Sequence, residues 1–206
     1  MDTIALQESW GWLLPLCAAA YLLGSISSAI LVCRLFGYPD PRTQGSSNPG
    51  ATNVLRIGGK PAAALTLLGD VLKGTVPVLV AYGLGLSATA AALVGFCAFL
   101  GHLFPLYFKF TGGKGVATAL GVVLAIHPLI ALIQIATWLL VALVFRYSSL
   151  AALVTAAATP LYLWLAGDET SFIVLGAVLA VLLFWRHRQN IERLIARTES
   201  KVRLGR

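Results

Sequence analysis

The stretch VATALGVVLAIHPLIALIQIATWLLVALVF, residues 116–145, runs for thirty residues without one Asp, Glu, Lys or Arg. A membrane-crossing helix needs about 20 apolar residues, so this stretch is longer than one crossing and shorter than two. Pro128 disfavours helical geometry in the residue before it, which places a break at His127. Outward from it, residues 12–35, 62–82, 88–108, 150–165 and 172–185 read as further spans.

Charge decides how often the central stretch crosses. The connections between spans hold Arg34, Arg42, Arg56 and Lys60, then Lys109 and Lys114, then Arg146. A tail, residues 186–206, carries Arg186, Arg188, Arg193, Arg197, Lys201, Arg203 and Arg206. The other connections, and the start of the chain, have no Lys or Arg. Two crossings put 14 of the 15 cations on one face, leaving only Lys73 inside a span. One crossing would export Arg146 and the tail, against the tendency of Lys and Arg to stay in the cytoplasm. The expectation is an all-α polytopic membrane protein with about seven transmembrane helices, the N-terminus outside and the C-terminus cytoplasmic. A hairpin that dips into the membrane satisfies the same charge argument. Residues 1–206 are expected to form a single integral-membrane domain with a basic cytoplasmic tail.

Composition narrows the class. The chain is 58% hydrophobic and 11% charged, with mean hydropathy +0.85 and net charge +7. Soluble domains carry roughly 25% charged residues, so a soluble nucleic-acid reader or a secreted disulfide scaffold is excluded. Cys17, Cys33 and Cys97 lie in apolar stretches with no metal-ligand spacing and read as small core residues. The opening MDTIALQES has no basic residue, so the first apolar run reads as a retained helix rather than a signal peptide.

Three polar stretches are expected on the cationic face. TQGSSNPGATNVLRIGGK, residues 43–60, is too broken by Gly and Pro to span. Its residue types suit tight turns whose successive N–H groups form anion-binding nests, or an ordinary turn-rich loop. FTGGKGVAT, residues 110–118, sets Lys114 among three glycines just before an apolar helix. That suits either a phosphate at a helix N-terminus or a flexible turn, and it lacks the spacing of a Walker A loop. RYSS, residues 146–149, and RHRQNIERL, residues 186–194, stand at helix mouths. His187 and Asn190 share a face if the tail begins as a helix. The later cations read most simply as a surface for anionic lipid. Within the second span, Asp70 and Lys73 are three apart and are expected to neutralise each other. His102 suits a bond to a neighbouring helix or a place in the site, and His127 suits neither.

The polar set is cationic and donor-rich, and carboxylates near it are few. Clustered His, Cys and Asp ligands, midplane acids and a nucleophile–base–orienter triad are not readable in it. It matches phosphate groups presented beside a lipid phase, with no metal or cofactor expected. An exchanger of phosphorylated metabolites, or a lipid-binding scaffold, would share the cationic face.

At these residues a resemblance becomes specific. GSISSAIL (residues 24–31) with GSSNPGATNVLRIGGK (45–60), GHLFPLYFKFTGGKGVAT (101–118) and HRQNIERL (187–194) resemble, in order, the three signature regions of the bacterial acyl-phosphate:glycerol-3-phosphate acyltransferases, the PlsY family. Departures are Ser47 where glycine is common, Ser27 where proline is usual and Gln189 where Glu is frequent. The resemblance implies transfer of a fatty acyl group from acyl phosphate to the 1-hydroxyl of glycerol 3-phosphate, releasing 1-acyl-glycerol 3-phosphate and phosphate. It implies seven helices, a cytoplasmic active site in the bacterial inner membrane, and neither acyl-CoA nor acyl carrier protein as donor. Membrane lipids are expected as surroundings, with no nucleic acid and no obligate protein partner. By motif position it assigns Ser46, Arg56, Lys114 and His187 to catalysis. Asn48, Gly50, Thr52, Asn53, Gly112, Gly113, Gly115, Ser149 and Asn190 are assigned to substrate binding.

Overall fold

The computed structural model describes the backbone of residues 3–202 and the side chains of residues 11–202. All regular structure among them is helical. The chain separates into two compact units, Met1–Ala125 and Ile126–Arg206.

The first unit begins with α1 (Thr3–Gly24) and α2 (Ser28–Leu35), bent by 42° across residues 25–27. One continuous span over residues 12–35 was expected, and the run is broken instead. The break frees backbone groups that lipid cannot satisfy. Ser25 Oγ returns a hydrogen bond to the Tyr21 carbonyl at 2.8 Å, and Lys73 Nζ donates to the Ile26 carbonyl at 2.9 Å. Lys73 also lies 2.9 Å from Asp70 Oδ1, forming the expected ion pair, with the two side chains 5% and 3% exposed. Among the described residues it is the only buried Lys or Arg.

Helix α3 (Ala51–Gly83) starts well before the span expected at residues 62–82. Gly59, at φ 76°, interrupts it, so residues 51–58 form about two separate turns ahead of the membrane helix. The polar stretch 43–60 is therefore loop only as far as Gly50. Glycine content suggested a loop throughout, but the glycines gather at the two ends and leave ATNVLRI free to coil. Helix α4 (Ala88–Leu103) stops short of Phe108, and Leu106–Phe108 form a single 3-10 turn after Pro105. α1 and α4 meet through small residues: a side chain at Gly24 would strike the Ala98 carbonyl, and one at Gly101 the Tyr21 carbonyl. Helix α5 (Val116–Ile126) ends at the expected break.

The second unit opens with α6 (Pro128–Phe145), whose first residue is the proline and whose N-cap is His127, Nδ1 accepting from the Ile130 N–H at 3.4 Å. Arg146, in the left-handed region at φ 64°, and Tyr147 turn the chain into α7 (Ser148–Leu165). Gln134 Nε2 donates to Thr159 Oγ1 at 2.6 Å, and the Thr137 and Tyr162 hydroxyls meet at 3.0 Å, pinning α6 to α7 at two levels. Helix α8 (Thr170–Arg186) packs on α7, and α9 (Arg188–Ile195) follows at a 62° bend centred on His187.

By length and composition α3, α6, α7 and the segment Ala88–Phe108 can each cross a bilayer, and the bent pairs α1–α2 and α8–α9 raise the number to six. The charge argument expected seven. The difference is α5, whose 11 residues reach about 16 Å where the hydrocarbon layer measures about 30 Å.

Lys73→Met would strand Asp70 in the membrane and strip the Ile26 carbonyl of its donor. It is expected to cost about 3–5 kcal/mol, read as a fall in melting temperature of the detergent-purified protein. The double variant Asp70→Asn/Lys73→Met should recover most of that loss, whereas a single variant as stable as wild type would deny the pair any structural role.

Candidate active site

Three separate segments of the first unit line one crevice: Ser25 and Ser27 from the helix break, Pro49 from the polar loop, and Gly112 and Gly113 from the glycine loop, with Lys73 and His102 at its floor. The second and third of these come from motif regions more than fifty residues apart in sequence.

Asn53 builds the polar loop. It is 1% exposed, and its Oδ1 accepts from the Ser46 N–H at 2.9 Å. Its Nδ2 donates to the carbonyls of Pro41 at 2.8 Å and Gln44 at 3.0 Å. A residue assigned by motif to substrate is thus committed to holding the loop that carries exposed Ser46 and half-buried Asn48. Gly50 caps the start of α3, Thr52 lies in its first turn, and Arg56 stands exposed one turn further on. Asp40, the acid nearest this loop, is taken up by Arg42 at 2.7 Å, whose guanidinium hydrogen bond holds that carboxyl below the usual carboxylate range. The Arg42 guanidinium in turn lies 5.8 Å from the Phe108 ring, tying the polar loop to the entry of the glycine loop.

The glycine loop is pressed onto the end of α4. A side chain at Gly112 would strike the His102 carbonyl, and one at Gly113 the His102 ring. Gly115, at φ 89°, lets the chain turn into α5 against Phe99. Half-buried Lys114 is presented between these constrained positions, just ahead of the α5 N-terminus. His102 Nδ1 pairs with Thr118 Oγ1 at 3.1 Å and lies 3.7 Å from Asp70, so His102 both bonds a neighbouring helix and faces the crevice.

The second unit gathers His187, Asn190 and Ser149. The tail does begin as a helix. His187, 3% exposed, sits at the α8–α9 bend with Nδ1 2.8 Å from the Leu183 carbonyl. A carbonyl only accepts, so Nδ1 carries the proton and Nε2 is the basic nitrogen of the neutral ring. Ser149, in the first turn of α7, donates its hydroxyl to Glu199 Oε1 at 2.6 Å, and Asn190 Nδ2 donates to the same oxygen at 2.7 Å. Arg193 Nε holds Glu199 Oε2 at 2.7 Å. Burial would raise the Glu199 carboxyl, but the hydrogen bonds from Ser149, Arg193 and Asn190 outweigh it and hold it below its ordinary value. Sequence reasoning missed Glu199. The available signal was one acid among the cations from Arg193 to Arg206. Arg193, read as lipid-facing, is ion-paired instead.

A family model described as glycerol-3-phosphate acyltransferase matches residues 14–197 of this chain. The chain belongs to that family. Glycerol-3-phosphate acyltransferases of Thioalkalivibrio sulfidiphilus and Coxiella burnetii are 60% and 54% identical to it, over 89% and 90% of this chain and 90% and 95% of theirs. The crystal structure of PlsY (YgiH), an integral membrane glycerol 3-phosphate acyltransferase, matches in its glycerol 3-phosphate form with TM-score 0.89. Identity is 41%, covering 93% of this chain and 96% of that one. The lysophosphatidic acid form matches with TM-score 0.87 and 40% identity, covering 93% and 95%. The chain is therefore a multi-pass membrane acyltransferase, and the exchanger and scaffold readings are set aside. The match runs through both units.

Asn53→Ala leaves the Ser46 N–H and two loop carbonyls without their partner, at about 1–3 kcal/mol for each group left buried and unsatisfied. Melting temperature and acyltransfer rate should fall together in this variant; full activity would show that the loop holds itself. For the tail, a carboxyl lowered on folding supports the fold above its unfolded value, about 4.3, and that support is lost as pH falls through the folded value. Protection of the Val202 amide, which donates to the Arg146 carbonyl at 2.7 Å, should persist from neutral pH to about 4 and collapse below it in hydrogen exchange.

Proposed function

We propose that this acyltransferase takes its acyl group from acyl phosphate and transfers it directly to the 1-hydroxyl of sn-glycerol 3-phosphate, giving 1-acyl-glycerol 3-phosphate and inorganic phosphate. The observation that carries this reading is the buried His187 ring, whose Nδ1 lies 2.8 Å from the Leu183 carbonyl and so leaves Nε2 as its acceptor nitrogen, in a chain similar to PlsY (YgiH), crystallised in glycerol 3-phosphate and lysophosphatidic acid forms. Acyl phosphate is a mixed anhydride with a good leaving group, so no general acid is needed to expel phosphate. The demanding tasks are bringing two anions together and aiming one hydroxyl at one carbonyl. Alignment of that kind is worth roughly 7–11 kcal/mol of the barrier.

Arg56 and Lys114 hold the phosphates, with Ser46, Asn48, Gly50 and Thr52 contributing donors from the polar loop and Gly112, Gly113 and Gly115 from the glycine loop. Asn53 acts through the shape of its loop. His187 Nε2 takes the proton from the attacking hydroxyl, and Ser149 and Asn190 hold the acceptor. The constrained glycines fix the direction of the Lys114 backbone before substrate arrives, the kind of preorganisation that electrostatic stabilisation requires. The clustering of Lys and Arg in one set of connections supports a cytoplasmic site at the bacterial inner membrane, with the N-terminus outside and the C-terminus inside. We read residues 1–206 as one enzymatic domain because the family match crosses the boundary between the units.

Purified protein in detergent, given acyl phosphate and glycerol 3-phosphate, should yield lysophosphatidate detectable by mass. Acyl-CoA in place of acyl phosphate should give none, and product from acyl-CoA alone would reassign the donor. In the same assay Lys114→Ala should lower kcat/KM by about a hundredfold or more. His187→Ala should lower kcat by about 10²–10⁴ even at saturating acceptor, whereas a change confined to KM would make His187 a binding residue only.

A further inference from the structure

The buried Asp70–Lys73 pair accounts for the helix break but not for a third group drawn to it. Asp70 Oδ1, 2.9 Å from Lys73 Nζ, also lies 3.7 Å from His102 Nδ1, and that nitrogen lies 3.1 Å from Thr118 Oγ1. Asp70, His102 and Thr118 come from α3, α4 and α5, and all three are buried. Thr118 stands in the first turn of α5, four residues after Lys114. On the other side of the same histidine lies the glycine loop. The Gly113 N–H donates to the His102 carbonyl at 3.2 Å, and a side chain at Gly113 would strike the His102 ring. His102 therefore grips the lysine-bearing segment on both sides, at Gly113 before Lys114 and at Thr118 after it.

The body of α5 does not need this grip. A side chain at Gly74 would strike the Thr118 carbonyl, one at Gly121 the Val71 carbonyl, and Thr75 Oγ1 donates to the Gly121 carbonyl at 2.8 Å. Backbone contact with α3 already holds the helix, so what the histidine adds is control of the segment that carries Lys114. A carboxylate only accepts, and one beside Nδ1 favours the tautomer with its proton there. We infer that Asp70 is a positioning residue that acts through His102: it keeps the Nδ1 proton directed at Thr118 and so fixes Lys114 and the glycine loop for phosphate. This rests on the phosphate-holding role proposed above for that loop. Charge alone predicts the reverse. An acid near the crevice repels phosphate, so removing it should tighten anion binding, whereas loss of the relay loosens it.

Calorimetric titration of the detergent-purified protein with inorganic phosphate separates the two. Asp70→Asn should weaken phosphate binding about three- to tenfold, the size of one lost hydrogen bond. Thr118→Val keeps the shape without the hydroxyl and should weaken it by a similar factor, and Thr118→Ser should restore most of the loss. In turnover, both weakened variants should raise the KM for glycerol 3-phosphate by that factor with kcat held, because the interaction lost is one of uniform binding. Phosphate binding that is tighter or unchanged in Asp70→Asn, a Thr118→Val equal to wild type, or a Thr118→Ser as weak as Thr118→Val would each overturn the inference. So would a loss confined to kcat or to melting temperature. Should Asp70→Asn fail to fold, the two Thr118 variants carry the test. A wild type that bound phosphate but made no lysolipid would instead sink the acyltransfer reading, and the ratios of the phosphate dissociation constants would still decide this one.

Discussion

One ammonium group holds the first unit in its working shape. The run from α1 to α2 is apolar enough to cross the membrane as a single rod, and it breaks at Ser25–Ser27 because the chain supplies partners for what the break exposes. Lys73 answers the Ile26 carbonyl, and Asp70 answers the charge that Lys73 brings into the bilayer. His102 closes the cluster and sits beneath the glycine loop. The crevice exists because a helix is interrupted beside it, and the interruption is tolerated because a buried ion pair lies within reach. An ion pair of this sort is poor evidence for stability in general. Here its geometry shows what it specifies, the position of a bend.

Chemistry of this class asks little of individual side chains and much of their placement. Each of the motif segments is fixed by a different device: Asn53 for the polar loop, steric exclusion under His102 for the glycine loop, and a carbonyl partner for the His187 ring. All three devices act on the backbone or ring that carries a motif residue. The motif residues are thus carried on backbone that has lost its freedom in advance, which is how a site with modest groups can gain rate.

Much of this was legible in the sequence, and the limits have physical causes. Pro128 announces the end of α5, and Asp70 and Lys73 announce their pairing, because both effects act within a few residues. Glycine-rich composition misled at residues 51–58, where the helix formers between Gly50 and Gly58 outweigh the breakers around them. Asn53 and Lys114 looked alike as motif members, yet one faces three backbone groups and the other the end of a helix. Spacing cannot separate them, since the difference lies in what folds against each. The role of Glu199 was hidden for the same reason: its partners lie 6, 9 and 50 residues away.

The shortness of α5 bears on the solvent the enzyme works in. A helix of about 16 Å cannot match a hydrocarbon slab of about 30 Å, and the mismatch is relieved where it arises, by thinning the leaflet or admitting water beside the helix end. The N-terminus of α5 is where Lys114 stands. A doubly charged, water-loving acceptor and a fatty chain have no common phase in bulk. A dimple in the bilayer at that helix end would give them one, and the membrane's own deformation would then be part of the reaction vessel.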